Sequence, residues 1–106
     1  MRRAGPSLGL KAEGPAQGKG VTYIKAMTLR EYSNVEAIKR ELSNGNVVIV
    51  KITPLVIKDI DEARRAIDEL KSHVASLGGD IARLGDERLI ATPAHIRIWR
   101  KGLGEG

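Results

Sequence analysis

His73 and His95 are the only side chains in this sequence of 106 residues whose ordinary pKa lies near neutrality. A general base needs an acidic or nucleophilic partner held close to it, and neither histidine stands in a recognisable pattern with one. Two isolated histidines are also too few for a metal site, and the absence of cysteine removes disulfides, thiolate catalysis and sulfur-ligated zinc or iron. The acidic group Asp59, Asp61 and Glu62 is accounted for by the positive end of the helix that it begins. Gly14-Pro-Ala-Gln-Gly18-Lys19-Gly20 has the composition of a phosphate-binding loop, but its glycines are too closely spaced and Gly20 stands where a magnesium-binding hydroxyl belongs. Asp80, beside Gly78-Gly79, repels a phosphate. The residue types therefore predict no catalytic set, no cofactor and no metal, and a protein that is not an enzyme.

The residue types alone offer one candidate location for binding chemistry. Arg97, Arg100 and Lys101 surround Trp99, the only tryptophan, but phenylalanine is absent, so stacking platforms for single-stranded nucleic acid are poorly supplied. Basic residues at such a terminus also serve to keep an edge strand soluble. The stretch around which the chain is organised is Gly78 to Pro93, which reads as a helix stop running into a β-hairpin with Gly85-Asp86 at its turn.

The elements that position this hairpin follow from hydropathy periods. Val21 to Leu29 alternates and predicts a strand. Ser33-Asn34-Val35-Glu36 is a capping-box pattern, opening a helix with Val35, Ile38 and Leu42 inward and ending at Asn44-Gly45. Val47 to Ile52 is nearly continuous and β-branched, the mark of a central strand closed by Pro54. A connection through Leu55, Val56 and Ile57 leads to a second cap at Asp59. From there Ile60, Ala63, Ile67, Leu70, Val74 and Leu77 recur at steps of three and four. Gly78 is placed to release the chain from that helix in a left-handed conformation. After Pro93, Ile96, Ile98 and Arg100 alternate with their neighbours as a short final strand or extended arm. The order is β-α-β-α-β-β(-β), an α/β sandwich (α+β in layout) with two helices packed on one face of a mixed sheet.

Three segments are expected: a basic, Gly/Pro-rich disordered tail at 1–20, one folded domain at 21–101 and a frayed end at 102–106. The tail carries a net +3 of the formal +5, so the folded part is nearly balanced. That distribution weighs against a nucleic-acid footprint, which puts a basic face on the fold itself. No apolar run reaches the roughly 18 residues of a membrane span and no apolar signal core opens the chain, so a cytoplasmic protein is expected. A domain this small buries a low fraction of its surface and gains from pairing with a second copy.

Leu77-Gly78-Gly79-Asp80-Ile81-Ala82-Arg83-Leu84-Gly85, followed by Leu89-Ile90-Ala91-Thr92-Pro93, resembles the C-terminal core of the SepF family, cell-division proteins that bind the tubulin-like GTPase FtsZ. The Val35-Glu36-Ala37-Ile38 helix and the Val47-Val48-Ile49-Val50 strand match the family's order, and the resemblance covers Tyr23 to Arg100. The isoleucine-rich, cysteine-free chain is more similar to the archaeal branch. The resemblance implies a homodimer able to assemble into a higher polymer, an FtsZ C-terminal peptide as partner, and a position at the inner face of the cell membrane at the division site. It implies Arg83 as an electrostatic contact to the peptide, Leu89 as a wall of its pocket, and Gly79 as a glycine permitting close packing between elements or subunits. The tail at 1–20 lacks the apolar face of the family's membrane helix, so only weak contact with an anionic membrane is expected of it. The alternative reading is a small basic nucleic-acid-binding protein of the Alba-like kind, which shares the order of elements.

Overall fold

The structure, a computed structural model, describes residues 20–100. The expected tail, save Gly20, and the expected frayed end lie outside the described residues. The elements are β1 (Ile24–Thr28), α1 (Asn34–Ser43), β2 (Val47–Lys51), α2 (Thr53–Lys58), α3 (Ile60–Leu77), β3 (Asp80–Leu84) and β4 (Arg88–Thr92). Four strands form one mixed sheet in the order β1-β2-β4-β3. β1 runs parallel to β2, while β2–β4 and β3–β4 are antiparallel. The fold is the mixed α/β arrangement that the sequence predicts, and the β-branched run at β2 takes a central place, with Val48 and Val50 fully buried and Ile49 only partly so.

Strand alternation divides the sheet into two faces. Val48 and Val50 of β2, with their partners Leu89 and Ala91 of β4, lie under the helices and are buried. α1 contributes Val35, Ile38 and Leu42 to this core, and α3 contributes Ala63, Ala66, Leu70 and Val74. The other face carries a row in register across all four strands, Ala26, Ile49, Ile90 and Ala82, which none of the described helices covers.

Four local readings are corrected. The strand read over Val21 to Leu29 is ordered as a ladder only from Ile24 to Thr28. Ser33 makes no side-chain cap, because its backbone is already helical (φ −62°, ψ −18°) where a cap residue is ordinarily extended. Asn34 instead closes the turn that precedes the helix, its Oδ1 accepting from the amides of Arg30 and Glu31, both at 2.8 Å. The stretch read as a connection at 55–57 is a third helix, α2, with Pro54 in its first turn and Leu55 fully buried. Pro54 stops the strand by lacking an amide and starts the helix for the same reason. Ile60, placed in the stripe of α3, is instead half exposed, and Ala66 occupies the core.

Both long helices end in the same device. Gly45 (φ +92°) and Gly78 (φ +77°) adopt the left-handed conformation. At α3 the Gly79 amide donates to Val74 and the Gly78 amide to Ala75; at α1 the Asn46 amide donates to Glu41 and the Gly45 amide to Leu42. These paired bonds satisfy carbonyls that a helix end leaves open and turn the chain sharply toward the next strand. At the other end of α3, Asp59 accepts from the amides of Asp61 and Glu62, so the acidic cluster is a helix cap.

A groove between the long helix and the hairpin as candidate functional site

α3 crosses the sheet so that Ile67 and Lys71, one turn apart, face the outermost strand, β3. Between them and Ile81, Ala82, Arg83 and Leu89 lies a groove of about 150 Å³. Arg83 and Leu89 are six residues apart in sequence but are directly opposed on β3 and β4, so their side chains share the helix-facing side of the sheet. Leu89 is almost wholly buried and lines the groove as its floor. Arg83 is exposed at the rim, its Nη2 donating to the Asp86 carbonyl at 3.2 Å across the turn. An apolar slot with a guanidinium on one lip and an ammonium on the other suits a ligand that combines an apolar side chain with carboxylates. A larger, shallow recess of about 260 Å³ lies at Gly20, Val21, Thr22, Asn44, Gly45 and His95. It is open and polar, and His95 Nε2 is already engaged with Thr22 Oγ1 at 2.9 Å, so the smaller groove has the better chemistry for holding a peptide.

Gly79 does not line the groove. A Cβ at this position would overlap the carbonyl oxygen of Thr92 and stand 3.0 Å from its carbonyl carbon. The contact that it permits is therefore within the chain, between the start of β3 and the end of β4. Here Thr92 Oγ1 accepts from the Asp80 amide at 3.0 Å and donates to the Ile96 carbonyl at 2.6 Å.

From this junction residues 93–100 run along β3 as an arm without strand ladder bonds. Asp80 holds it. Its carboxylate accepts from the Ile98 amide at 2.9 Å and from Arg100 Nη1 at 3.1 Å, and Arg100 Nη2 donates to the Ile81 carbonyl at 2.8 Å. The Arg100 guanidinium, followed by the Ile98 amide, holds the Asp80 carboxyl below the usual carboxylate range. Asp80 is thus fully engaged as an internal clasp.

A polar seam ties α1 to α3 on the far side of the long helix. Glu69 accepts from the Tyr32 hydroxyl and from Lys39 Nζ, the latter at 2.8 Å. Lys39 and then Tyr32 hold the Glu69 carboxyl below its ordinary value, and the bond to Glu69 pushes the Tyr32 phenol up. Arg65 stacks over the Tyr32 ring, with its guanidinium carbon 5.5 Å from the centroid. His73 Nε2 lies 3.0 Å from Ser43 Oγ. Both histidines therefore have hydroxyl partners, and among the described residues no three His, Cys, Asp or Glu side chains are grouped to hold a metal.

Sequence reasoning reached Arg83 and Leu89 through resemblance but missed Lys71 and Ile67. The available signal was their spacing of four on α3, which puts them on one helix flank. In the sequence Ile67 reads as part of the apolar stripe of α3.

The chain matches the model of a family described as "Cell division protein SepF" over residues 24–98. It is 36% identical over 88 residues to cell division protein SepF of Haloferax volcanii, covering 83% of this chain and 74% of that protein. It is 38% identical over 69 residues to the SepF of Enterococcus faecalis, covering 65% of this chain but 31% of that one. The chain spans between 31% and 53% of the length of several bacterial relatives that it matches. Among solved structures, the SepF-like protein from Archaeoglobus fulgidus superposes with a TM-score of 0.69 at 31% identity, covering 74% of this chain and 93% of that one. The SepF-like protein from Pyrococcus furiosus gives the same TM-score at 28% identity, covering 74% and 95%.

Proposed function

Because this chain belongs to the SepF family of cell division proteins, we propose that it is a non-enzymatic septation protein. In this reading it dimerises, binds the C-terminal peptide of FtsZ, and links the FtsZ ring to the inner face of the cell membrane. The observation that carries the reading is the α3–β3 groove, where Lys71 and Arg83 flank an apolar slot floored by Leu89. Charge at the rim orients an acidic segment, while burial of one apolar side chain adds about 1.5–3 kcal/mol when complete.

Support for dimerisation comes from the outer face of the sheet. The row Ala26, Ile49, Ile90 and Ala82 is apolar in every strand, and Ile24, 70% exposed, extends it at the β1 edge. A second copy seated on this face would remove that surface from water and leave each groove open on the opposite side. Membrane linkage rests on less. At about 1 kcal/mol per basic residue near an anionic surface, the net +3 of residues 1–20 gives about 3 kcal/mol per chain, strengthened when a dimer presents two. Binding to anionic vesicles should be weak and lost at high salt; tight sedimentation in high salt would require another anchor.

The deciding experiment is calorimetric titration with the C-terminal peptide of the same organism's FtsZ. Arg83→Glu should weaken binding about tenfold or more, as charge reversal at a rim contact does, while leaving the melting temperature unchanged. An unaltered isotherm for the folded variant removes Arg83 from the site, and no binding by the native protein removes the reading.

A further inference from the structure

The edge of β3 is divided into a closed part and an open part. Ile52 donates its amide to the Glu87 carbonyl at 2.9 Å, which fixes the alternation of the antiparallel ladder. Leu89 and Ala91 turn their backbone groups toward β2, and Ile90 turns its own toward β3. The partners of β4 on β3 are then Asp80, Ala82 and Leu84, so the amides and carbonyls of Ile81 and Arg83 point to the free edge. At Ile81 both groups are taken: its amide donates to Asp80 Oδ1 at 3.0 Å, and its carbonyl accepts from Arg100 Nη2. Among the described residues none bonds the backbone amide or carbonyl of Arg83.

Resting on the function proposed above, we infer that the peptide partner binds as a short added strand that pairs with the backbone of Arg83, and that the Asp80–Arg100 clasp ends this pairing at Ile81. The groove lies beside that edge and is bounded above by Ile67 and Lys71 of α3. At about 150 Å³ it has room for one large apolar side chain, whereas a docked helix is roughly 10 Å across. An extended segment paired at Arg83 turns successive side chains to opposite faces. One enters the slot over Leu89, and carboxylates two positions before or after it meet Lys71 and the Arg83 guanidinium. Main-chain bonds then supply register, and the slot supplies selectivity. The clasp confines strand pairing to a single residue, which keeps this edge from serving as a template for indefinite sheet extension.

Amide hydrogen exchange followed by NMR, on the native protein with and without saturating FtsZ C-terminal peptide, tests the pairing. The Arg83 amide should exchange about tenfold or more slowly in the complex, while the Ile81 amide, already bonded to Asp80, should change little. A series of peptides N-methylated at one position each should lose about fivefold or more in affinity at the residue opposite Arg83 and retain it at both neighbours. Saturable binding that leaves Arg83 unprotected, or a methylation series without that alternation, overturns strand pairing and leaves the peptide-binding function standing. Failure of the unmodified peptide to bind removes both.

Discussion

The two glycines that bracket β3 do opposite work. Gly79 stands where the backbone of Thr92 comes so close that no side chain fits, although its φ is not in the left-handed range. Gly85 is left-handed at φ +80°, and a Cβ there would meet nothing within 4 Å. The first glycine is needed for space and the second for conformation. The Gly79 end of the hairpin also carries the Thr92 and Asp80 bonds that fix the arm, whereas the Gly85 end is an exposed turn. Stability is thus concentrated at one end of the hairpin, and the rim contact Arg83 lies toward the other.

The largest effect should come from closing the tight contact. Gly79→Ala forces a methyl group into the Thr92 carbonyl, and since both sides are backbone the strands must separate. A cost of ~3 kcal/mol or more is expected, against a total of about 5–15 kcal/mol for a typical domain. Urea unfolding measures it; a loss under 1 kcal/mol would mean that the two strand ends move apart freely.

Next comes the clasp. Asp80→Ala removes the acceptor for Ile98 and Arg100, and bonds to a charged group are worth about 1.5–3 kcal/mol each at most, less here because Arg100 is half exposed. A loss of about 2 kcal/mol is expected, with Ile98 amide exchange accelerating before global unfolding. The same group gives a pH dependence. Its folded pKa lies below its unfolded one, so the contribution is complete above the ordinary carboxylate range and is lost as pH falls through the lower, folded value. The native protein should therefore lose stability on acidification toward pH 3 by more than Asp80→Ala does. Equal losses would assign the acid sensitivity to other carboxylates, Glu69 first among them.

Outer-face self-association is separable from both. Ala26 is exposed on the apolar row, so Ala26→Glu should convert a dimer into a monomer in analytical ultracentrifugation while changing stability by about 0.5 kcal/mol or less within the monomer. A dimer that persists would place the contact on another face.

What could be read in the sequence was whatever a period or a terminus signal encodes. β2 and α3 declare themselves because their burial repeats along the element, and Gly78 and Asp59 because caps need those residue types. α2 is six residues long, too short for a period, and its proline reads equally as a strand stop. Ser33 fits a cap pattern, but the turn before it is already helical. The arm at 96–100 alternates as a strand would, yet Asp80 and Arg100 side chains bond the backbone groups that a ladder would use. The groove needs α3 and β3 side by side, a relation between residues 67–71 and 81–89 that no local spacing carries. Arg83 and Leu89 were reached by likeness, and Lys71 only by geometry.

Gly85 sharpens the comparison because the chemistry there predicts a sign as well as a size. Alanine at φ +80° meets no atom but places its Cβ too close to its own backbone, at about 1–2 kcal/mol. Asparagine tolerates that conformation better than alanine, so Gly85→Asn should cost less than Gly85→Ala even though its side chain is larger. At Gly79 the order reverses: the larger residue must be worse, since space and not φ is limiting. For a domain this size 1 kcal/mol shifts the melting temperature by roughly 4–8 °C, so the four variants can be ranked by thermal denaturation. If asparagine were worse than alanine at both positions, the Gly85 turn would be packed against something, and the division of the hairpin into a tight end and an open end would fail.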